Sequence, residues 1–159
     1  MSVPVWLRAT IFLVIVPGAI AGWLPWYVAG QPPVWDASRG AWRLGALLTL
    51  AGWAFLLSCA RDFAVRGRGT PGPYDPPRRL VTSGLYKYVR NPMYIAVLTA
   101  IVGQAIWFHA PKIIAYAALV ALMFHFWVVV YEEPTLRQSF GADYLEYCRR
   151  VPRWIPLRR

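Results

Sequence analysis

PMYIAVLTAIVGQAIWFHAPKIIAYAALVALMFHFWVVVY, residues Pro92 to Tyr131, carries a single formally charged side chain, Lys112. A helix needs about 20 mostly apolar residues to cross a hydrocarbon core of about 30 Å. Inside lipid, every backbone N–H and C=O must find its partner within the protein. The stretch is long enough for two such helices and is divided by His109-Ala110-Pro111, a tight turn. It predicts one spanning helix from Pro92 to about Phe108 and another from about Lys112 to Tyr131. The first is short for a bilayer and should tilt or bend. Pro92 suits a first helical position, where its missing N–H costs nothing.

Toward the N-terminus two more apolar runs follow the same rule, from about Val5 to Val28 and from about Trp42 to Ala60. Pro17-Gly18 lies within the first and predicts a kink. That run lacks a basic start and a small-residue cleavage site, so it is expected to stay as a membrane helix. The fold class is therefore an all-α integral membrane protein. About four transmembrane helices are joined by a cytoplasmic interfacial loop or helix and followed by a C-terminal amphipathic helix, in one membrane domain over residues 1–159.

Composition agrees. The chain is 58% hydrophobic and 15% charged, whereas soluble domains hold about 45–50% apolar and about 25% charged residues. Nine Trp and nine Tyr suit membrane interfaces, where an amphipathic ring keeps one end wet. The net charge of +10 is not read as a nucleic-acid footprint, because the basic residues sit in short blocks between apolar runs. Seven Lys and Arg lie in 61–91 and six in 132–159, with Arg8 on the same side; only Arg39, Arg43 and Lys112 oppose them. The positive-inside rule places both termini and the long loop in the cytoplasm. Cys59 and Cys148 have no metal-like spacing and are expected as free thiols.

The connections differ from one another. Gly30 to Gly40 is turn-rich, and Arg61 to Gly69 is rich in Arg and Gly. TPGPYDPPRR, Thr70 to Arg79, is too rich in proline for regular structure. Leu80 to Val89 predicts a short interfacial helix with Thr82 or Ser83 as its cap. From Glu132 to Arg149 the tail reads as an amphipathic helix, with Leu136, Phe140, Tyr144 and Tyr147 on one stripe. It would lie on the membrane surface or fold under the bundle.

Two polar clusters stand at the ends of these spans. Glu132-Glu133 follows FHFWVVVY directly. Acids favour helix N-termini through the dipole, but a carboxylate at a membrane edge is also placed to bind hydroxyls or a cation. The second cluster runs from Thr82 to Tyr94, where Tyr86, Arg90 and Tyr94 recur every four residues and would share a helical face. An aromatic and basic interfacial belt explains the same residues. Gln104 and His125 lie at membrane depth and are read as packed polar residues bonded to a neighbouring helix. His109 is read as a loop residue, and Trp107 and Trp154 as interface anchors.

Three blocks, LVTSGLYKYVRNPMY (Leu80–Tyr94), EEPTLRQSFGADYLEY (Glu132–Tyr147) and RVPRWIP (Arg150–Pro156), resemble in content and order the isoprenylcysteine carboxyl methyltransferase and phospholipid methyltransferase group of integral membrane enzymes, in the form of a small bacterial-type member. The resemblance implies an S-adenosyl-L-methionine-dependent methyltransferase of the inner membrane. Residues 61–159 would be its cofactor-binding catalytic core and 1–60 two N-terminal spanning helices. The acceptor would be a lipophilic or membrane-partitioned molecule reached from the lipid bilayer. Carried over by position, the cofactor-binding residues are Arg78, Arg79, Leu80, Val81, Tyr86, Asn91, Pro92, Met93, Tyr94, Glu132 and Glu133. The catalytic residues are Arg90 and Glu132, and no metal is implied.

Two departures narrow this. Better-known members have His where this chain has Asn91, which hydrogen-bonds but does not titrate. Eukaryotic isoprenylcysteine enzymes have an Arg implicated in the substrate where this chain has Val128, so the prenylcysteine carboxylate does not follow. A phospholipid-type N-methyltransferase would use the same cofactor site. A sterol-reductase-like enzyme with a nicotinamide cofactor shares part of the Arg90–Tyr94 pattern, but in longer chains. A non-enzymatic scaffold whose basic loops bind anionic lipids would explain the charge alone.

Overall fold

A computed structural model describes residues 4–30, 40–67 and 78–156. Most of the Gly30–Gly40 loop, most of the proline-rich stretch and the final Arg158-Arg159 lie outside the described residues. Among these residues the chain is helical, with no strand. Helix α1 (Val5–Gly18) passes through a wide π turn (Ala19–Trp23) into α2 (Leu24–Ala29). Helix α3 (Ala41–Asp62) ends in a second wide turn (Phe63–Gly67). Helix α4 (Pro92–Trp107) and α5 (Pro111–Trp127) follow, and α5 runs through a third wide turn (Val128–Glu132) into α6 (Glu133–Arg150).

Three continuous helical stretches, Val5–Ala29, Ala41–Gly67 and Pro111–Arg150, are long and apolar enough to cross a bilayer. Helix α4 has 16 residues, about 24 Å at 1.5 Å per residue, which is the short helix the sequence predicts. Leu47, Leu50, Leu119, Leu122, Phe126 and Val130 are each more than half exposed. An apolar surface of that extent is untenable in water and matches a hydrocarbon surround. The architecture is compatible with an integral membrane protein.

The polar groups at membrane depth are explained by proline. Pro25 has no N–H, so the carbonyls that it would serve, Ala21 in α register and Ile20 in π register, lose a helical partner. Side chains from the neighbouring helices replace it. Gln104 Nε2 donates to the Ala21 carbonyl at 2.5 Å, and the Tyr116 hydroxyl donates to the Ile20 carbonyl at 2.8 Å. Gln104 is thus the packed residue that its position implied. It also binds the first apolar run to the rest of the bundle.

Helices α3 and α4 meet along small residues. Gly45, Thr49 and Gly52 face Ala96, Ala100 and Gly103. A Cβ added to Gly103 would sit 2.5 Å from the Thr49 nitrogen, and one added to Gly52 would sit 2.6 Å from the Ala100 nitrogen. Without hydrophobic drive between helices in lipid, such close backbone approach is what holds them together.

Several expectations are corrected. Leu80–Val89 is not a helix; only Gly84–Lys87 forms a 3-10 turn. Gly84 has φ 63°, a left-handed conformation that breaks the helix start. Pro92 pushes Asn91 to φ −122°, ψ 50°, because an α conformation before proline is sterically disfavoured. Ser83 stands at the cap position without capping. Its Oγ instead accepts from Arg66 Nη1 at 2.5 Å.

The tail helix follows α5 with no loop and is broken at Gly141, which has φ 50° and ψ −122°. Its stripe does form: Tyr144 and Tyr147 are buried with Val151 against Leu80, Leu136 and Phe140, so α6 folds under the bundle. His125 is exposed and its Nδ1 accepts from Trp154 Nε1 at 3.3 Å. Its partner comes from the C-terminal segment rather than from a helix. Trp154 packs on Tyr94, with ring centroids 6.4 Å apart, instead of anchoring a free interface.

Candidate functional site

The break before Pro92, the wide turn ending at Glu132 and the tail folded under the bundle converge on one end of the molecule. There they enclose a cavity of about 80 Å³. At ~10–15 Å³ of such space per water, it holds several waters or the polar end of a larger ligand. Its wall is formed by Leu80, Val81, Tyr86, Arg90, Asn91, Met93, Tyr94, Glu132 and Glu133, all singled out from the sequence. Three sequence candidates are not brought to it. Arg78 and Arg79 are exposed on the surface, and Pro92 is buried at the start of α4 outside the wall.

Five wall residues were not singled out as site residues: Phe63, Val128, Leu136, Tyr144 and Tyr147. Leu136, Tyr144 and Tyr147 belong to the tail stripe, and Val128 is the position where the resemblance departs. Phe63 gave no signal. It lies in the wide turn that ends α3, and its ring meets the edge of Tyr86 at a centroid distance of 5.4 Å.

The two adjacent acids have different surroundings. Glu132 Oε1 accepts from the Tyr94 hydroxyl and from Trp127 Nε1 at 3.2 Å. Its Oε2 has no partner among the described residues. Glu133 is saturated with cations. Its Oε1 accepts from Arg90 Nη1 at 3.0 Å and Arg153 Nε at 2.6 Å. Its Oε2 accepts from Arg153 Nη2 at 3.0 Å and lies 3.6 Å from Arg137 Nη2. Glu133 is therefore spent on protein contacts, and Glu132 keeps a free oxygen at the cavity.

Arg90 is held by several partners. Its Nη1 also donates to Cys148 Sγ at 2.9 Å, and its backbone N–H donates to the Pro152 carbonyl at 2.9 Å. Its Nε is buried without a partner. An unpaired buried donor of a charged group is costly. Asn91 Nδ2 donates to the Arg153 carbonyl at 3.1 Å, which ties the C-terminal segment to the start of α4.

The Tyr86 carbonyl accepts from the Tyr147 hydroxyl at 2.6 Å. Burial pushes the Tyr86 phenol well above its ordinary pKa, and nearby Cys59 adds to the shift. Glu133 raises the Arg153 guanidinium above its ordinary value by accepting its hydrogen bonds.

Comparison with known proteins adds to this geometry. Residues 41–143 match the family model described as phospholipid methyltransferase. The chain is 37% identical over 78 residues to protein-S-isoprenylcysteine O-methyltransferase B of Arabidopsis thaliana, covering 49% of this chain and 40% of that protein. It is 35% identical over 91 residues to methanethiol S-methyltransferase 1 of Bradyrhizobium diazoefficiens, covering 55% and 30%. It is 30% identical over 128 residues to the cobalt-zinc-cadmium resistance protein CzcN of Cupriavidus metallidurans, covering 77% and 53%. The matched part of the chain thus spans about half the length of these relatives or less. No solved structure matches. The matched stretch 41–143 contains the close α3–α4 seam and every cavity-lining residue except Tyr144 and Tyr147, and on that extent the chain belongs to the phospholipid methyltransferase family.

Proposed function

We propose that the protein is a membrane methyltransferase that takes its methyl group from S-adenosylmethionine and passes it to an uncharged lipophilic acceptor. The observation that carries this reading is the meeting, in one cavity wall, of a carboxylate with a free oxygen, Glu132, and a guanidinium, Arg90. The donor set fits the cofactor. Arg90 suits its carboxylate, since Arg reads carboxylates through a planar fork. Glu132 suits its ribose hydroxyls or ammonium, and Tyr94 and Trp127 hold that carboxylate in place. Tyr94, Phe63 and Met93 supply apolar and aromatic surface. The cavity takes the polar end of such a ligand, leaving the bulkier part toward the mouth.

The bound cofactor supplies a methyl group on a sulfonium, an already activated donor for in-line displacement. The protein's contribution is alignment and exclusion of water. Tyr86, with its raised pKa, is a poor base, and Asn91 does not titrate. The acceptor must therefore arrive nucleophilic or be deprotonated at Glu132. Arg90 is the only cation in the wall among the described residues, and Val128 fills the position beside Glu132 with an apolar side chain. Once Arg90 holds the cofactor, no cation remains for an anionic acceptor. On the same reading the cavity and both termini face the cytoplasm of a bacterial inner membrane, as the clustering of Lys and Arg supports.

The test is to incubate membranes containing the protein with methyl-labelled cofactor and to follow label into extracted phospholipid, an added prenyl thioether, or neither. Calorimetry with S-adenosylhomocysteine on the purified chain checks the site itself. Arg78→Ala and Arg79→Ala are expected to leave its affinity within about twofold, because both side chains lie outside the cavity. Arg90→Lys, which keeps the charge and loses the fork, is expected to weaken it by about tenfold or more, the worth of a charge-assisted hydrogen bond. Absence of binding by the wild-type chain would overturn the reading.

A further inference from the structure

We propose that Trp127 is a positioning residue: its indole N–H, brought over Glu132 by the wide turn between them, fixes the carboxylate and leaves Oε2 open to a ligand donor; this rests on the cofactor reading above. Trp127 lies outside the cavity wall and Glu132 within it. An effect of the indole on a bound ligand therefore passes through the carboxylate.

The pairing begins with proline. In a regular α-helix a proline ring clashes with the carbonyl four residues earlier and offers it no N–H. Pro134 would meet the Val130 carbonyl in this way. The chain instead widens over Val128–Glu132, ending two residues before Pro134. The same offset separates the wide turn Ala19–Trp23 from Pro25. At 3.6 residues per turn, residues five apart in an α-helix point about 140° away from each other. A π turn closes its hydrogen bonds between residues five apart and brings such a pair onto one face. Trp127 and Glu132 are five apart, and Trp127 Nε1 donates to Glu132 Oε1 at 3.2 Å.

A carboxylate held by one hydrogen bond can still swivel about it. Glu132 receives two donors on the same oxygen from different helices, the Tyr94 hydroxyl of α4 and the Trp127 indole at the end of α5. Together they fix the plane of the group, and Oε2 keeps no partner among the described residues. The donors are themselves held. The Trp127 ring packs on Tyr131 with centroids 4.5 Å apart, and Tyr94 packs on Phe124 at the same separation. An indole has one N–H to give. Trp127 gives it to Glu132 although the residue is 43% exposed. A carboxylate set in advance need not be ordered when the ligand arrives, which is where preorganisation gains affinity.

Calorimetry with S-adenosylhomocysteine on the full chain in detergent tests this through a double-mutant cycle. The four proteins are the wild type, Trp127→Phe, Glu132→Ala and the double variant, with Glu132→Met replacing Glu132→Ala if the latter fails to fold. Phenylalanine keeps an aromatic ring against Tyr131 and removes the donor. Trp127→Phe is expected to weaken binding by about three- to tenfold, the worth of one hydrogen bond. In the background without the carboxylate, the same change should alter affinity by less than about twofold, because the group that the indole positions is gone.

Unchanged affinity in Trp127→Phe would overturn the proposal, since Tyr94 would then suffice to set the carboxylate. Equal weakening in both backgrounds would also overturn it, because the indole would then act without Glu132. A wild type that does not bind S-adenosylhomocysteine would overturn the cofactor reading on which the proposal stands.

Discussion

Replacing each of the two adjacent acids by its amide should separate stability from binding. Glu133→Gln removes the negative charge from a side chain that is 6% exposed and paired with Arg90, itself 13% exposed. Breaking a buried ion pair from one side strands the other charge, at about 3–5 kcal/mol. Arg153 and Arg137 are 33% and 58% exposed and regain water, so they add little. The amide oxygen still accepts one bond, which places the loss near the lower end, about 3 kcal/mol. For a chain of this length that lowers the unfolding midpoint by roughly 6–12 °C.

Glu132→Gln is different. Its two donors are a phenol and an indole, both of which an amide oxygen can satisfy, and no buried cation is stranded. Stability should change by less than about 1 kcal/mol, while affinity for S-adenosylhomocysteine falls about 10- to 100-fold with the loss of a charged acceptor. Thermal unfolding followed by helical circular dichroism in detergent, with calorimetry on the same samples, measures both quantities. Equal destabilisation by the two variants, or a binding defect confined to Glu133→Gln, would refute the division of labour between the acids.

Two further outcomes test the fold that carries the site. Gly52→Val puts a branched side chain where even a Cβ would lie 2.6 Å from the Ala100 nitrogen and 2.7 Å from the Ala96 carbonyl oxygen. It should cost about 1–3 kcal/mol of overpacking and speed maleimide labelling of the buried Cys59, read by mass spectrometry. Gln104→Leu should cost about 1–2 kcal/mol by leaving the Ala21 carbonyl without its partner. That loss should shrink by at least half in a Pro25→Ala background, where a backbone N–H is restored, and strictly additive losses in the double-mutant cycle would rule the account out.

The spans were legible because an apolar run of fixed length is the signal the bilayer itself imposes, and α1, α3, α4 and α5 each start within a residue of their expected position. What periodicity could not show was the wide turns. Pro17-Gly18 predicted a kink, but the need for Gln104 and Tyr116 follows from Pro25, and the register lost there is visible only in three dimensions. The interfacial helix over Leu80–Val89 failed for local reasons, a left-handed Gly84 and a proline-restricted Asn91, each a backbone effect that hydrophobic patterning does not encode. At the site, residue type marked Glu132, Glu133 and Arg90 alike. It did not distinguish the saturated acid from the free one, because that difference is made by Arg153, twenty residues further along. Arg78 and Arg79 looked equal to Arg90 for the same reason: sequence supplies charge, and only packing supplies burial.

The charge inventory of the cavity also separates the cofactor reading from its competitors. A nicotinamide dinucleotide brings phosphates that need several donors or cations, commonly a helix N-terminus or an Arg cluster. Here the wall offers one guanidinium, already bonded to Glu133, and the Glu132 carboxylate lines the same cavity. A polyanion would meet an uncompensated carboxylate. A sulfonium amino acid carries positive charge at its sulfur and ammonium and a single carboxylate, so its two signs match Glu132 and Arg90 in the wall. A lipid-binding scaffold has no need to bring Arg90 and Glu132 to one cavity: surface Arg78 and Arg79 would serve anionic headgroups.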